Sequence, residues 1–118
     1  MTGAAAIFNV TELLERVEQD RELLRELIVI FREELPGQLD SLRNAVKAQD
    51  PEAITRASHN FKGMFSNLAA SRAARAAERL EIVGRNNEPA QFHKVLLRLE
   101  DEIELLLPEL ESCAAEKN

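Results

Sequence analysis

Residues 89–110 read PAQFHKVLLRLEDEIELLLPEL, and this stretch decides the fold class. Phe92, Val95, Leu96, Leu99, Ile103, Leu106 and Leu110 recur at steps of three and four, with charged residues between them. That period puts one apolar stripe along an α-helix and fits no strand. Glu88-Pro89 opens the helix, because proline is tolerated where the first backbone donors have no partner. Pro108 is expected to bend its end.

Working outward, the same period recurs. Asp20 is a good N-cap, and Leu23, Leu27, Ile30, Phe31, Leu35, Leu39, Leu42 and Val46 follow it as a long stripe. Pro36-Gly37 interrupts this helix, and the continuous stripe favours a kink over a break. Asp50-Pro51 opens a third long helix over about 51–69, with Ile54, Phe61, Phe65 and Leu68 inward. Ala69-Ala70-Ser71 gives a turn and a new cap. The next helix covers about 72–85 and is ended by Gly84 and Asn86-Asn87. A short helix capped by Asn9 runs to about Val17, with Leu13, Leu14 and Val17 as its stripe. Residues 1–8 read as a loose arm and 113–118, with Cys113, as a frayed tail. The expectation is a single all-α domain over 1–118. It is an up-down antiparallel four-helix bundle with a short extra N-terminal helix.

Composition agrees with this reading. Seventeen Leu, 16 Ala and 17 Glu make up 50 of 118 residues, against 15 Val, Ile and Thr together. A sandwich, a barrel or a doubly wound sheet needs the opposite balance. The absence of Trp and Tyr and a net charge of −6 disfavour nucleic-acid binding. One Cys and two His leave no disulfide framework and no Cys-based metal centre, and a lone Cys fits a reducing, cytoplasmic setting. No apolar run approaches membrane length, no signal-peptide pattern is present, and no membrane contact is expected.

The charge is uneven. Residues 1–50 hold 10 acids and 6 bases, 51–86 hold 3 and 6, and 87–118 hold 8 and 3. A basic hairpin therefore sits inside an acidic chain. Within it lies Ser58-His59-Asn60-Phe61-Lys62-Gly63. At about 100° per residue, Phe61 and Leu68 point roughly opposite His59, so the imidazole faces solvent. Thr55, Lys62, Gly63, Ser66 and Ala70 share its face. A mid-helix glycine costs about 1 kcal/mol relative to alanine, and here it clears space one turn from an exposed nucleophile.

A neutral imidazole can carry a phosphoryl group. Lys62 can offset the charge that this adds. No Gly-rich phosphate loop or kinase signature is present, so a partner must supply the transfer chemistry. If the turn centres near Ala70, Glu81 comes level with His59. It is then either the group that orients the ring or an ordinary solvated helix residue. His93, beside Phe92 and Lys94, reads as a surface histidine.

These residues, with Asn67-Leu68-Ala69-Ala70 and Leu80-Glu81, resemble the histidine-containing phosphotransfer (HPt) domain of bacterial two-component phosphorelays. The resemblance runs from Phe8 to about Leu110. It implies His59 as the phosphorylated residue, Lys62 for charge stabilisation and Glu81 for imidazole orientation. Gly63 keeps the histidine accessible, and Thr55, Ser66, Asn67 and Ala70 line a receiver-docking face. It also implies a monomer that takes the phosphoryl group from a receiver-domain aspartyl-phosphate and passes it on reversibly. The partners are receiver domains of response regulators or hybrid sensor kinases. The domain has no kinase activity and no cofactor of its own, and the Mg2+ belongs to the receiver. Met64 and Phe65 stand where relatives usually have small residues, and Ala69 replaces a common glycine. Two other readings share the sequence: a docking adaptor without phosphotransfer, and a kinase-phosphorylated chemotaxis-type domain.

Overall fold

The computed structural model describes residues 7–115. Five helices follow in order: α1 Val10–Arg16, α2 Arg21–Lys47, α3 Pro51–Asn67, α4 Ser71–Arg85 and α5 Pro89–Ala115. Three begin as the capping residues dictate. The side chains of Asn9, Asp20 and Asp50 accept from the backbone N–H groups of Glu12, Leu23 and Ala53. These bonds satisfy donors that the first turn leaves free. The α4 start differs from expectation: Ser71 is already helical, and Ala70 occupies the cap position without a side-chain bond.

Each of the four long helices packs on its sequence neighbour, and α2 also packs on α5. Ion pairs fix the α2–α5 direction. Arg43 meets Glu100 at 2.6 Å and Arg32 meets Glu111 at 3.4 Å, so these helices run antiparallel. Ile28, Phe31, Leu42, Ile54, Phe61, Phe65, Leu80, Leu99 and Leu106 fill the centre. Phe65 lies 5.6 Å from Phe61 and 5.7 Å from Phe31, ring centre to ring centre.

The seam of α2 is phased differently from the expected one. Leu24, Ile28, Phe31, Leu35, Leu42 and Val46 are buried, whereas Leu23, Leu27 and Ile30 are exposed. The RELLRELIVIF segment carries two adjacent apolar lines, Leu23–Leu27–Ile30 and Leu24–Ile28–Phe31, so its spacing admits both phases. Burial of Leu42 and Val46 further along selects the Leu24–Ile28–Phe31–Leu35 line. The helix continues through Pro36 and Gly37, both on its exposed side.

Both chain ends pack more than expected. Ile7 and Phe8 lie against the core. At the other end α5 runs to Ala115 and buries Cys113, one turn after Leu110. Residues 1–6 of the expected arm and 116–118 of the expected tail lie outside the described residues.

Four helices end in left-handed residues that are not glycine: Glu18 (φ 54°) after α1, then Gln49 (φ 54°), Ala69 (φ 58°) and Asn87 (φ 52°). At each, the left-handed residue's own amide and the next one turn back to close the helix, as in Ala69 N–H to Ser66 O and Ala70 N–H to Phe65 O. So α3 stops at Asn67 even though Ala69 replaces a glycine. Gly84, expected as a stop, lies inside α4, and Asn87 makes the turn. A left-handed L-residue costs roughly 1–2 kcal/mol. Gln49→Gly should therefore raise stability by about 1 kcal/mol, read as a higher urea midpoint at unchanged slope. Gln49 is exposed, so no packing is lost in return.

Candidate functional site

The site lies where α3 meets α4. Thr55 and Gly84 mark a close approach of the two helices. A Cβ on Gly84 would stand 2.8 Å from Thr55 Oγ1, 3.0 Å from Ile54 Cγ2 and 3.2 Å from the Thr55 backbone nitrogen. Only glycine permits that approach. One turn further along each helix stand His59 and Glu81, and His59 Nδ1 lies 3.0 Å from Glu81 Oε2.

The pair is asymmetric. The His59 side chain is 65% exposed and the Glu81 side chain 5%. A buried carboxylate needs partners, and three converge on this one. Besides His59, Arg85 Nη2 donates to Oε2 at 2.7 Å, and Lys62 Nζ lies 3.1 Å from Oε1 as an ion pair. Burial alone pushes the Glu81 carboxyl up. Hydrogen bonding and positive charge from Lys62 and His59 outweigh it and hold the carboxyl below its ordinary value. Glu81 is therefore ionised near neutrality, and an ionised carboxylate only accepts. In the neutral ring the hydrogen then belongs on Nδ1, which leaves the lone pair on Nε2 of this exposed side chain.

This geometry has a consequence for acid stability. The folded-state value of Glu81 lies below its unfolded one, so its contribution is complete above the ordinary carboxyl range. It is lost as the pH falls through the lower, folded value. The stability gap between the protein and its Glu81→Gln variant should shrink below about pH 4.5. Urea unfolding at neutral and acid pH measures that gap.

Other expected site residues are distributed as follows. Gly63 is exposed, and a Cβ there would meet nothing within 4 Å. Ser66 and Asn67 are exposed too. Thr55 is half-buried, and its hydroxyl donates to the Pro51 carbonyl at 2.7 Å. Ala70 is fully buried, so it belongs to the core and not to a docking face. Lys62 is only half-exposed, because its ammonium turns toward Glu81. Met64 packs against the core and Phe65 lies inside it. His93 is exposed on α5. Arg85 was not anticipated, and its signal was its place four residues after Glu81 on one helix. The base of α3 is held by α1. Arg16 donates to the Ser66 carbonyl, and Asn9 N–H to the Ala69 carbonyl at 3.1 Å.

An exposed imidazole backed by a buried carboxylate, with a lysine and a bare glycine one turn on, matches a known pattern. The family model of the Hpt domain matches residues 26–110. The chain belongs to the Hpt family. Among solved structures it is similar to histidine-containing phosphotransfer protein B (HptB) from Pseudomonas aeruginosa PAO1. The TM-score is 0.88 at 23% identity, covering 98% of this chain and 100% of that one. That likeness concerns the fold. No curated protein matches the chain. Among the described residues of this Hpt domain, no three His, Cys, Asp or Glu side chains come together to hold a metal. No described helix is long and apolar enough to cross a membrane.

Proposed function

We propose that this Hpt domain is a phosphorelay carrier that accepts a phosphoryl group on His59 Nε2 and returns it to a second receiver. The observation that carries the reading is the His59–Glu81 pair: Nδ1 is engaged at 3.0 Å by a buried carboxylate, and the side chain that carries the other ring nitrogen is exposed. The Nε2 lone pair attacks phosphorus in a receiver's aspartyl-phosphate. An N–P bond forms, the acyl P–O bond breaks, and the aspartate carboxylate leaves. The ring keeps its Nδ1–H, and Glu81 balances the positive charge that develops on it. In the return step an acceptor aspartate attacks phosphorus and His59 leaves with its lone pair restored.

Lys62 stands one turn from His59 and can turn from Glu81 toward the phosphoryl oxygens. Arg85 remains on Glu81 when it does. Gly63 leaves the rim bare, so a receiver's loops can close over the ring. Ser66 and Asn67 extend that exposed side, with Thr55 at its other end. Any divalent cation comes with the receiver. The ring of contacts among α2, α3, α4 and α5 supports an up-down antiparallel four-helix bundle. The rigid pair of α3 and α4 then presents the ring without a conformational change. The carrier has no chemistry for ATP and acts as a cytoplasmic monomer.

Incubation with a receiver domain labelled as its aspartyl-phosphate tests the reading. Rapid transfer of label to this protein, stable in base and labile in acid, is the expected result. Receiver binding without label transfer would overturn it and favour a docking adaptor.

A further inference from the structure

A second surface lies on the far side of α4 from Glu81. A groove of about 730 Å3 runs between α4 and α5. Arg72 and Glu102 close one end at 3.0 Å and fix the register of the two antiparallel helices. In that register Arg75 comes level with Arg98, and Arg79 with Lys94. All four are exposed, and none forms an ion pair within the described residues. Cations facing one another across a groove repel, and a partner's carboxylates would remove that cost. Val95 beneath the cations is buried, and Leu97, 47% exposed, adds apolar surface at the outer rim beyond the Lys94–Arg98 row.

We propose that this groove docks an acidic, amphipathic helical segment of a partner protein. The charges favour a peptide over a polyphosphate. Glu78 and Asp101 also line the groove, so its field is broken, and the whole chain carries −6. A nucleic acid or an anionic bilayer would meet net repulsion over most of this molecule. A helix that turns glutamates toward both cationic rows can set its apolar side chains against Leu97 at the rim. Arg72 and Arg79 project roughly 160–180° round α4 from Glu81. Arg75 and Glu78 also border the hollow lined by Lys62 and Ser66, but a segment held along Arg72, Arg79 and Lys94 leaves His59 open, so a partner can stay docked while receivers exchange. Only that simultaneous occupancy rests on the carrier reading.

The test titrates a helical peptide of about 20 residues, glutamates flanking a leucine seam, into the 15N-labelled protein. Amide shift changes are expected over residues 72–79 and 94–102. An Arg75→Glu/Arg79→Glu variant should weaken binding at least roughly tenfold, as should raising salt from about 50 to about 500 mM. Labelling of His59 by a phosphorylated receiver should persist with peptide bound. Shift changes centred on Thr55–Ser66, or unweakened binding by the variant, would overturn the proposal. So would tighter binding of single-stranded DNA or phosphatidylserine vesicles than of peptide. Loss of labelling on adding peptide would overturn simultaneous occupancy. The binding arm needs no phosphotransfer, so failure of the carrier reading alone leaves its result intact.

Discussion

Replacing His59 by glutamine is expected to abolish acceptance of a phosphoryl group from a phosphorylated receiver, a loss on the order of 10³-fold or more. The exposed face around Gly63 offers no second nucleophile of comparable strength. Lys62 is an ammonium bound to Glu81 at 3.1 Å, and a protonated amine has no lone pair to give. Stability should hardly change, within about 0.5 kcal/mol, because most of the ring lies in solvent. The glutamine amide can still donate to Glu81 Oε2, so the buried carboxylate keeps a neutral donor beside Arg85. Phosphate labelling and a melting curve on one preparation separate the two effects. Label persisting on the variant, at His93 for instance, would remove His59 from the mechanism.

The register that joins His59 to Glu81 was legible because it depends on two simple things. The α3 and α4 seams fix which face is buried, and the short connection through Ala70 fixes which residues come level. The rest of the carboxylate's surroundings was less legible. Burial of Glu81 follows from the close approach at Gly84, and a sequence does not announce how near two helices lie. Arg85 went unread for the same reason. On a solvated helix it is one more surface arginine, and it becomes a partner only once Glu81 is inside.

The phase of α2 shows a different limit. Leu23, Leu27 and Ile30 repeat as regularly as Leu24, Ile28 and Phe31, so local spacing cannot choose between them. The choice comes from Leu42 and Val46, four turns away on the same rigid helix. Buried Cys113 is similar. Its burial is set by Leu106 and Leu110 before it and was hidden by the polar residues around it.

Gly84 is where stability and function meet, and Gly84→Val should lower both. A β-branched side chain there would press on the Thr55 backbone nitrogen, 3.2 Å from the Cβ position, and on Thr55 Oγ1 at 2.8 Å. Neither gives way easily. The first is main chain, and the second is tied to the Pro51 carbonyl at 2.7 Å. The helices must part instead. That costs about 1–3 kcal/mol of overpacking, and a melting temperature lower by several degrees. The same displacement acts one turn away, where the 3.0 Å contact between His59 and Glu81 tolerates only a few tenths of an ångström before it ceases to be a hydrogen bond. Transfer should slow by about ten- to a hundredfold in molecules that remain folded. The 15N signals of the ring should shift toward a mixture of tautomers, a change that instability alone would not produce. Removing the Thr55 hydroxyl clears one of the clashing atoms, so Gly84→Ala/Thr55→Ala should transfer faster than Gly84→Ala. If Gly84→Val loses stability yet keeps wild-type transfer and a single tautomer, helix spacing does not govern the reach of Glu81, and the orientation of His59 must come from Lys62 and the exposed rim instead.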